Sequence, residues 1–245
     1  MAASWAAAGC NTNLGILLLC APVAVAFERL RSPLTRLRSP VARECLRRAI
    51  GDVLGDLDLA DARAAYRAIA LASPGGLGAA DAQDVRHPPS IGLRAAMALA
   101  AERDLIARQY RDGFTDLFDL ALPELPAGFS LNLPAALQMN DAPPNAAPDA
   151  QTISAVQRVY LTLLATLADS HIVRKHGAAV AQNVMAAAQG FQVRALRGDM
   201  LDADPEFALW DQALKARNIN PGTTADLTVA ALLIAGLTNG PMAES

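Results

Sequence analysis

Lysine is almost absent from this chain: Lys175 and Lys215 stand alone among twenty-one basic side chains, and the rest are arginines. Set against twenty-four acidic groups, they leave a net charge of -3 with no basic block and no acidic tail, which argues against a nucleic-acid surface. Aromatic residues make up only 4% of the chain, and no segment alternates with period two for long enough to read as a strand. Three cysteines, Cys10, Cys20 and Cys45, show no C-x-x-C spacing, so neither a disulfide framework nor a zinc site is signalled and a reducing cytoplasm is the simplest home. G-x-S-x-G, H-E-x-x-H, the P-loop pattern and G-x-G-x-x-G after a strand are all missing, which disfavours the common hydrolase and P-loop chemistries. The apolar run from Leu14 to Phe27 has no charged residue before it to act as the n-region of a signal peptide. It is also too short to span a bilayer and holds Pro22, so no membrane role is expected.

Apolar residues are plentiful. With 53% of 245 residues hydrophobic, the chain can bury a sizeable core and reads as a single all-α domain over 1–245. Helices are expected to open near Leu14, after Ser32-Pro33 and after Ser39-Pro40, and over Leu59 to Leu71. Ser90 is expected to cap one long helix reaching about Leu120. Leu122 to Ala150 carries six prolines and no periodicity, and reads as a loop within the domain. Helical spacing resumes from Thr152, with a last pair over Pro205 to Ala216 and Thr224 to Leu237.

Asp169-Ser170-His171-Ile172-Val173-Arg174-Lys175-His176-Gly177 places polar chemistry where the apolar stripe Ile153, Val156, Tyr160, Leu163, Leu164, Leu167 should continue. On an unbroken helix Asp169 would point about 160° away from His171, so one ligand cannot meet both. The helix is therefore expected to break or distort near Ser170. Asn220-Pro221-Gly222-Thr223-Thr224-Ala225-Asp226 precedes another apolar helix; such a turn can offer backbone N–H groups to phosphate, or Thr223 and Asp226 can form an ordinary capping-box variant. Ser73 to Gly78 could likewise cradle phosphate or be a plain turn. Asp104 and Arg108 stand four apart and make either a solvated ion pair or, through the carboxylate, a metal contact beside nucleotide phosphates. His171 and His176, five apart, do not share a helical face as two metal ligands would.

In order and approximate spacing, Gly9-Cys10-Asn11-Thr12-Asn13-Leu14-Gly15, the Ser73–Gly78 loop, Arg103-Asp104 with Arg108-Gln109-Tyr110, Asp169 to Gly177 and Asn220 to Leu227 match one family. The chain resembles the triphosphoribosyl-dephospho-CoA synthases, in particular their shorter relatives from methylotrophs and archaea. The resemblance implies an all-helical enzyme that takes ATP as glycosyl donor: the 2'-hydroxyl of dephospho-CoA attacks C1' of the ribose, adenine leaves, and the triphosphate stays on the transferred sugar. Carried over by motif position, Asp169 is implied as the carboxylate at the metal or sugar and His171 as its catalytic neighbour. His171 and Arg174 are implied at phosphate or adenine, with His176 behind them, and Asn11, Thr12 and Asn13 in the same cavity. Asn220, Gly222, Thr223 and Thr224 would hold the triphosphate. Mg²⁺ is the implied cofactor, with Asp169, Asp226 and Asp104 as its candidate ligands. ATP and dephospho-CoA are the implied partners, and a homo-oligomer is compatible with this reading.

Three departures qualify the match. Better-known members read Asn-Thr-His-Lys-Gly where this chain has Asn11-Thr12-Asn13-Leu14-Gly15, and Asp-Thr-Asn where it has Asp169-Ser170-His171. They also begin upstream with a Lys-Pro-Gly-containing loop, so the chain reads as N-terminally incomplete. Two alternatives follow: a related nucleotide or phosphoribosyl step in one-carbon pterin cofactor synthesis, or a relative that binds nucleotide without turnover.

Overall fold

A computed structural model describes residues 13–31, 41–72, 82–126, 129 and 149–239. Asn11, Thr12, the two Ser-Pro steps, the Ser73–Gly78 loop and most of the Pro-rich stretch lie outside these residues. The described elements are all helical: α1 (Leu14–Arg31), α2 (Arg43–Asp56), α3 (Leu59–Ala72), α4 (Leu93–Ala98), α5 (Leu105–Asp112), α6 (Ala150–Thr166), α7 (Ser170–His176), α8 (Ala178–Leu196), α9 (Pro205–Ala216) and α10 (Gly222–Asn239). No strand occurs among the described residues. None of these helices is long and apolar enough to cross a membrane.

Helix α6 organises the packing. Its second half is buried all round, from Leu161 through Ala165, as a helix must be when it has neighbours on opposite faces. Ala155, Val159 and Leu163 join the larger core with Leu19 and Val23 of α1, Leu46, Ile50 and Leu54 of α2, and Leu227, Ala231 and Ile234 of α10. Leu161, Leu164 and Ala165 face a second cluster with Val184, Ala188 and Phe191 of α8 and Leu214 of α9. Beside that cluster Phe207 meets Phe191 edge-on and Trp210 meets it tilted, each at 5.1 Å between ring centroids, a separation at which aromatic pairs attract.

The long helix expected from Ser90 to Leu120 is divided twice. Asp104 takes an extended backbone (φ -137°, ψ 118°) and caps α5 by accepting from the amides of Ile106 and Ala107, so a new helix starts there. Gly113 (φ 66°) then ends α5 in the left-handed region, and Phe114 follows at φ 63°, a conformation held by complete burial of its ring. A π-helical turn at Leu117–Ala121 and a 3₁₀ turn at Leu122–Glu124 come next. The start of the Pro-rich stretch is thus built into the core rather than looped out, with Leu122, Leu125 and Phe129 all buried.

Pro22 does not stop α1, although it lies in its middle. Proline removes the N–H that would bond to the carbonyl four residues back, that of Leu18. The buried Tyr110 hydroxyl of α5 donates to that carbonyl instead, at 2.6 Å. Tyr110→Phe should orphan it, at a cost of about 1–2 kcal/mol and a fall of a few degrees in Tm. In a Pro22→Ala background the helix supplies its own N–H, so thermal melts of the four proteins should show the Tyr110→Phe penalty shrinking.

Candidate active site

Three helix starts are tied together where the sequence turns polar. Asp169 is 1% exposed and caps α7, its Oδ1 accepting from the amides of His171 (2.8 Å) and Ile172 (3.0 Å). Its Oδ2 accepts from the amide (2.7 Å) and the hydroxyl (2.8 Å) of Thr224 in the first turn of α10. The break expected near Ser170 is present, with α6 ending at Thr166 and α7 starting at Ser170, and one buried carboxylate closes two helix N-termini. Ser170 completes the joint: its hydroxyl accepts from the Leu105 amide at the start of α5 (3.3 Å) and lies 3.0 Å from the Thr223 hydroxyl.

These starts border a cavity of about 380 Å³, which α1 also lines through Leu14, Gly15 and Leu18. Among the expected site residues Asp104, His171, Arg174, Thr223 and Asp226 line it. Arg103, of the Arg103-Asp104 motif, joins them. Asp104 does not pair with Arg108, which binds Asp116 (2.7 Å); its second oxygen lies 3.6 Å from Arg174 Nη1 instead. Thr223 and Asp226 do not form a capping box, since Thr223 bonds Ser170 and Asp226 faces the cavity.

Asp226 is the most perturbed carboxyl group of the site. Burial, followed by the negative charges of Asp169 and Asp104, pushes it up to about 7, and nothing among its described neighbours pulls it down. His171 moves the opposite way. Burial first, then Lys175 and Arg174, lowers it and outweighs Asp169, so the ring is held neutral. Its Nδ1 would lie 3.3 Å from a Cβ placed on Gly222, and its Nε2 is buried with no hydrogen-bond partner among the described residues.

Other expected residues support the site from outside its lining. Thr224 is committed to Asp169. The Asn220 carbonyl accepts from the Gly222 amide (2.8 Å) and the Pro221 carbonyl from the Ala225 amide (3.1 Å), so most of the N–H groups offered to phosphate by this turn are already bonded. His176 Nε2 contacts the Asn218 carbonyl at 3.1 Å. Asn13 precedes α1, its carbonyl accepting from the Leu17 amide. Sequence reasoning missed the apolar part of the cavity, which Tyr66 and Ile69 of α3, Val85, Met97 of α4 and the following Leu99 supply. No spacing connects these residues, and each alone reads as ordinary core.

The sequence model of the family described as CitG: ATP:dephospho-CoA triphosphoribosyl transferase matches residues 1–244. The chain belongs to this family. Its fold is also that of a solved structure from Archaeoglobus fulgidus provisionally named a triphosphoribosyl-dephospho-CoA synthase, with a TM-score of 0.63 over 92% of this chain and 81% of that one at 21% identity. No curated protein matches the sequence.

In this member of the CitG family Gly15 explains how Asp226 reaches the cavity. A Cβ at Gly15 would fall 1.9 Å from Asp226 Oδ2 and 2.8 Å from Ile106 Cδ1. Such overlap cannot be absorbed without moving the carboxylate. Gly15→Ala should therefore lower activity at least tenfold while costing about 1–3 kcal/mol of stability. In an Asp226→Ala background the stability cost should largely vanish, which thermal melts of the double variant will check.

Proposed function

We propose that the protein transfers the triphosphoribosyl group of ATP to the 2'-hydroxyl of dephospho-CoA and releases adenine. The observation that carries this reading is a cavity in which Asp104 and Asp226 stand among converging helix N-termini with Arg174, His171 and Thr223. Guanidinium groups favour phosphate, and two carboxylates in one cavity favour the divalent cation that travels with it. No group of three or more histidine, cysteine, aspartate or glutamate side chains suited to a metal occurs among the described residues. Two carboxylates nevertheless fit Mg²⁺, an ion commonly held by one or two such groups together with substrate phosphates. Asp104 and Asp226 would hold it, and it would supply neutralisation of the phosphate charge.

The protein's own groups then divide the work. Arg174 and Arg103 hold phosphate oxygens, and the Thr223 hydroxyl adds a donor. His171, neutral and enclosed, is suited to take the proton of the acceptor hydroxyl as the O2'–C1' bond forms and the C1'–N bond breaks. Asp169 acts through the others: it fixes the helix starts that carry His171 and Thr223. ATP supply places the reaction in the cytoplasm.

The deciding experiment incubates the protein with Mg-ATP and dephospho-CoA and measures free adenine. Adenine should appear in step with an enlarged dephospho-CoA product, and neither should form when one substrate is omitted. No adenine with both substrates present would reject the reading, and adenine without an acceptor would make the reaction hydrolysis.

A further inference from the structure

Resting on the ATP reading, we infer that the apolar wall formed by Tyr66, Ile69, Val85, Met97 and Leu99 seats the adenine of the donor, so that the leaving base departs along α3 and α4. The cavity lining divides by element. The starts of α5, α7 and α10 contribute carboxylates, a guanidinium group, an imidazole and a hydroxyl, whereas α3, the 82–85 segment and α4 contribute mainly apolar groups. The charged side chain within the second set, Asp84, is paired with Arg86 at 2.7 Å. Phosphate against that wall would be desolvated without a partner, while a purine base gains by covering it. A single nucleotide carries both chemistries, and a volume of about 380 Å³ is at the small end for ligand cavities, fitting one nucleotide better than the longer dephospho-CoA.

The wall is also stiff, which suits a planar base more than a flexible pantetheine arm. The Tyr66 hydroxyl donates to the Gln83 carbonyl at 2.7 Å and locks the ring. Gln83 adopts φ 53°, and its side chain in turn grips Ser90, accepting from the amide (3.1 Å) and donating to the hydroxyl (2.8 Å). The segment carrying Val85 is thereby pinned to α3. In the transfer step the electron pair of the C1'–N bond goes to adenine, the acceptor oxygen loses a proton and the base gains one. Adenine therefore leaves neutral, the form an apolar wall retains.

The test is calorimetric titration of the full chain, in the presence of Mg²⁺, with ATP, tripolyphosphate, adenine and dephospho-CoA as separate probes. Ala100→Leu extends a lining residue into the apolar part, and Leu99→Asp places a charge at its 52% exposed lip, where the fold should tolerate it. Both variants should weaken ATP about tenfold or more and abolish adenine binding, while tripolyphosphate affinity stays within about twofold. Unchanged adenine and ATP binding in folded variants overturns the inference, as does weakening confined to dephospho-CoA, which would give the wall to the pantetheine arm. Failure of the ATP reading itself looks different: the unaltered protein would bind neither ATP nor tripolyphosphate.

Discussion

Replacing Asp169 with alanine should cost about 3–5 kcal/mol, because a buried charge acceptor disappears and leaves its donors behind. Those donors are the amides of His171, Ile172 and Thr224 and the Thr224 hydroxyl. For a chain of this size the loss corresponds to a fall of roughly 10 °C in Tm. Adenine release should fall with it, since His171 and Thr223 lose the joint that aims them. Asp169→Asn sharpens the result: one oxygen can still accept from one helix start, but the amide nitrogen must face donors at the other, so an intermediate loss of stability is expected. A Tm unchanged in Asp169→Ala with adenine release abolished would contradict the positioning role and assign the carboxylate to the reacting sugar.

Asp169 also shows how far sequence could lead. Helical angles alone required a break near Ser170, because Asp169 and His171 point apart on a regular helix. The break is there: Asp169 is buried against Thr224, and His171 lines the cavity. The partner of Asp169 was not legible: Thr224 lies fifty-five residues away, and its neighbour Thr223 offered a self-sufficient capping box with Asp226. The division of the 90–120 stretch does leave signals in the sequence: an aspartate before an apolar run, as at Asp104, suits an N-cap as well as an ion pair or a metal, and Gly113 is a helix stop. Pro22 lies inside α1 without ending it, and the tertiary contact from Tyr110, which satisfies the carbonyl left by its missing N–H, has no signal in the sequence. The apolar wall was invisible because α3, the 82–85 segment and α4 come together only in the folded chain; a tyrosine and a few aliphatic residues carry no chemical signature until a cavity opens beside them.

Asp226→Asn should separate stability from function in opposite directions. The carboxyl moves from 3.8 to about 7 on folding, through burial and then the charges of Asp169 and Asp104. A raised carboxyl pKa means that the folded state holds a proton the unfolded state has already released. Its contribution to stability is therefore full below about pH 4, declines as pH rises, and is lost above about pH 7. Asparagine carries no such penalty. Without divalent cations, Asp226→Asn and the parent protein should melt alike near pH 4, and at pH 8 the variant should be more stable by on the order of 2 kcal/mol, after discounting for residual exposure. Adding Mg²⁺ with tripolyphosphate should reverse the order at pH 8, because a cation at this carboxylate replaces the proton and only the parent can use it. Adenine release by the variant should fall by at least about a hundredfold, as expected on the proposed role of Asp226 in holding the phosphate-bound cation. Parallel melting profiles from pH 4 to pH 8.5 would mean that the charge repulsion is absent, and with it the physical reason for placing a cation between Asp104 and Asp226.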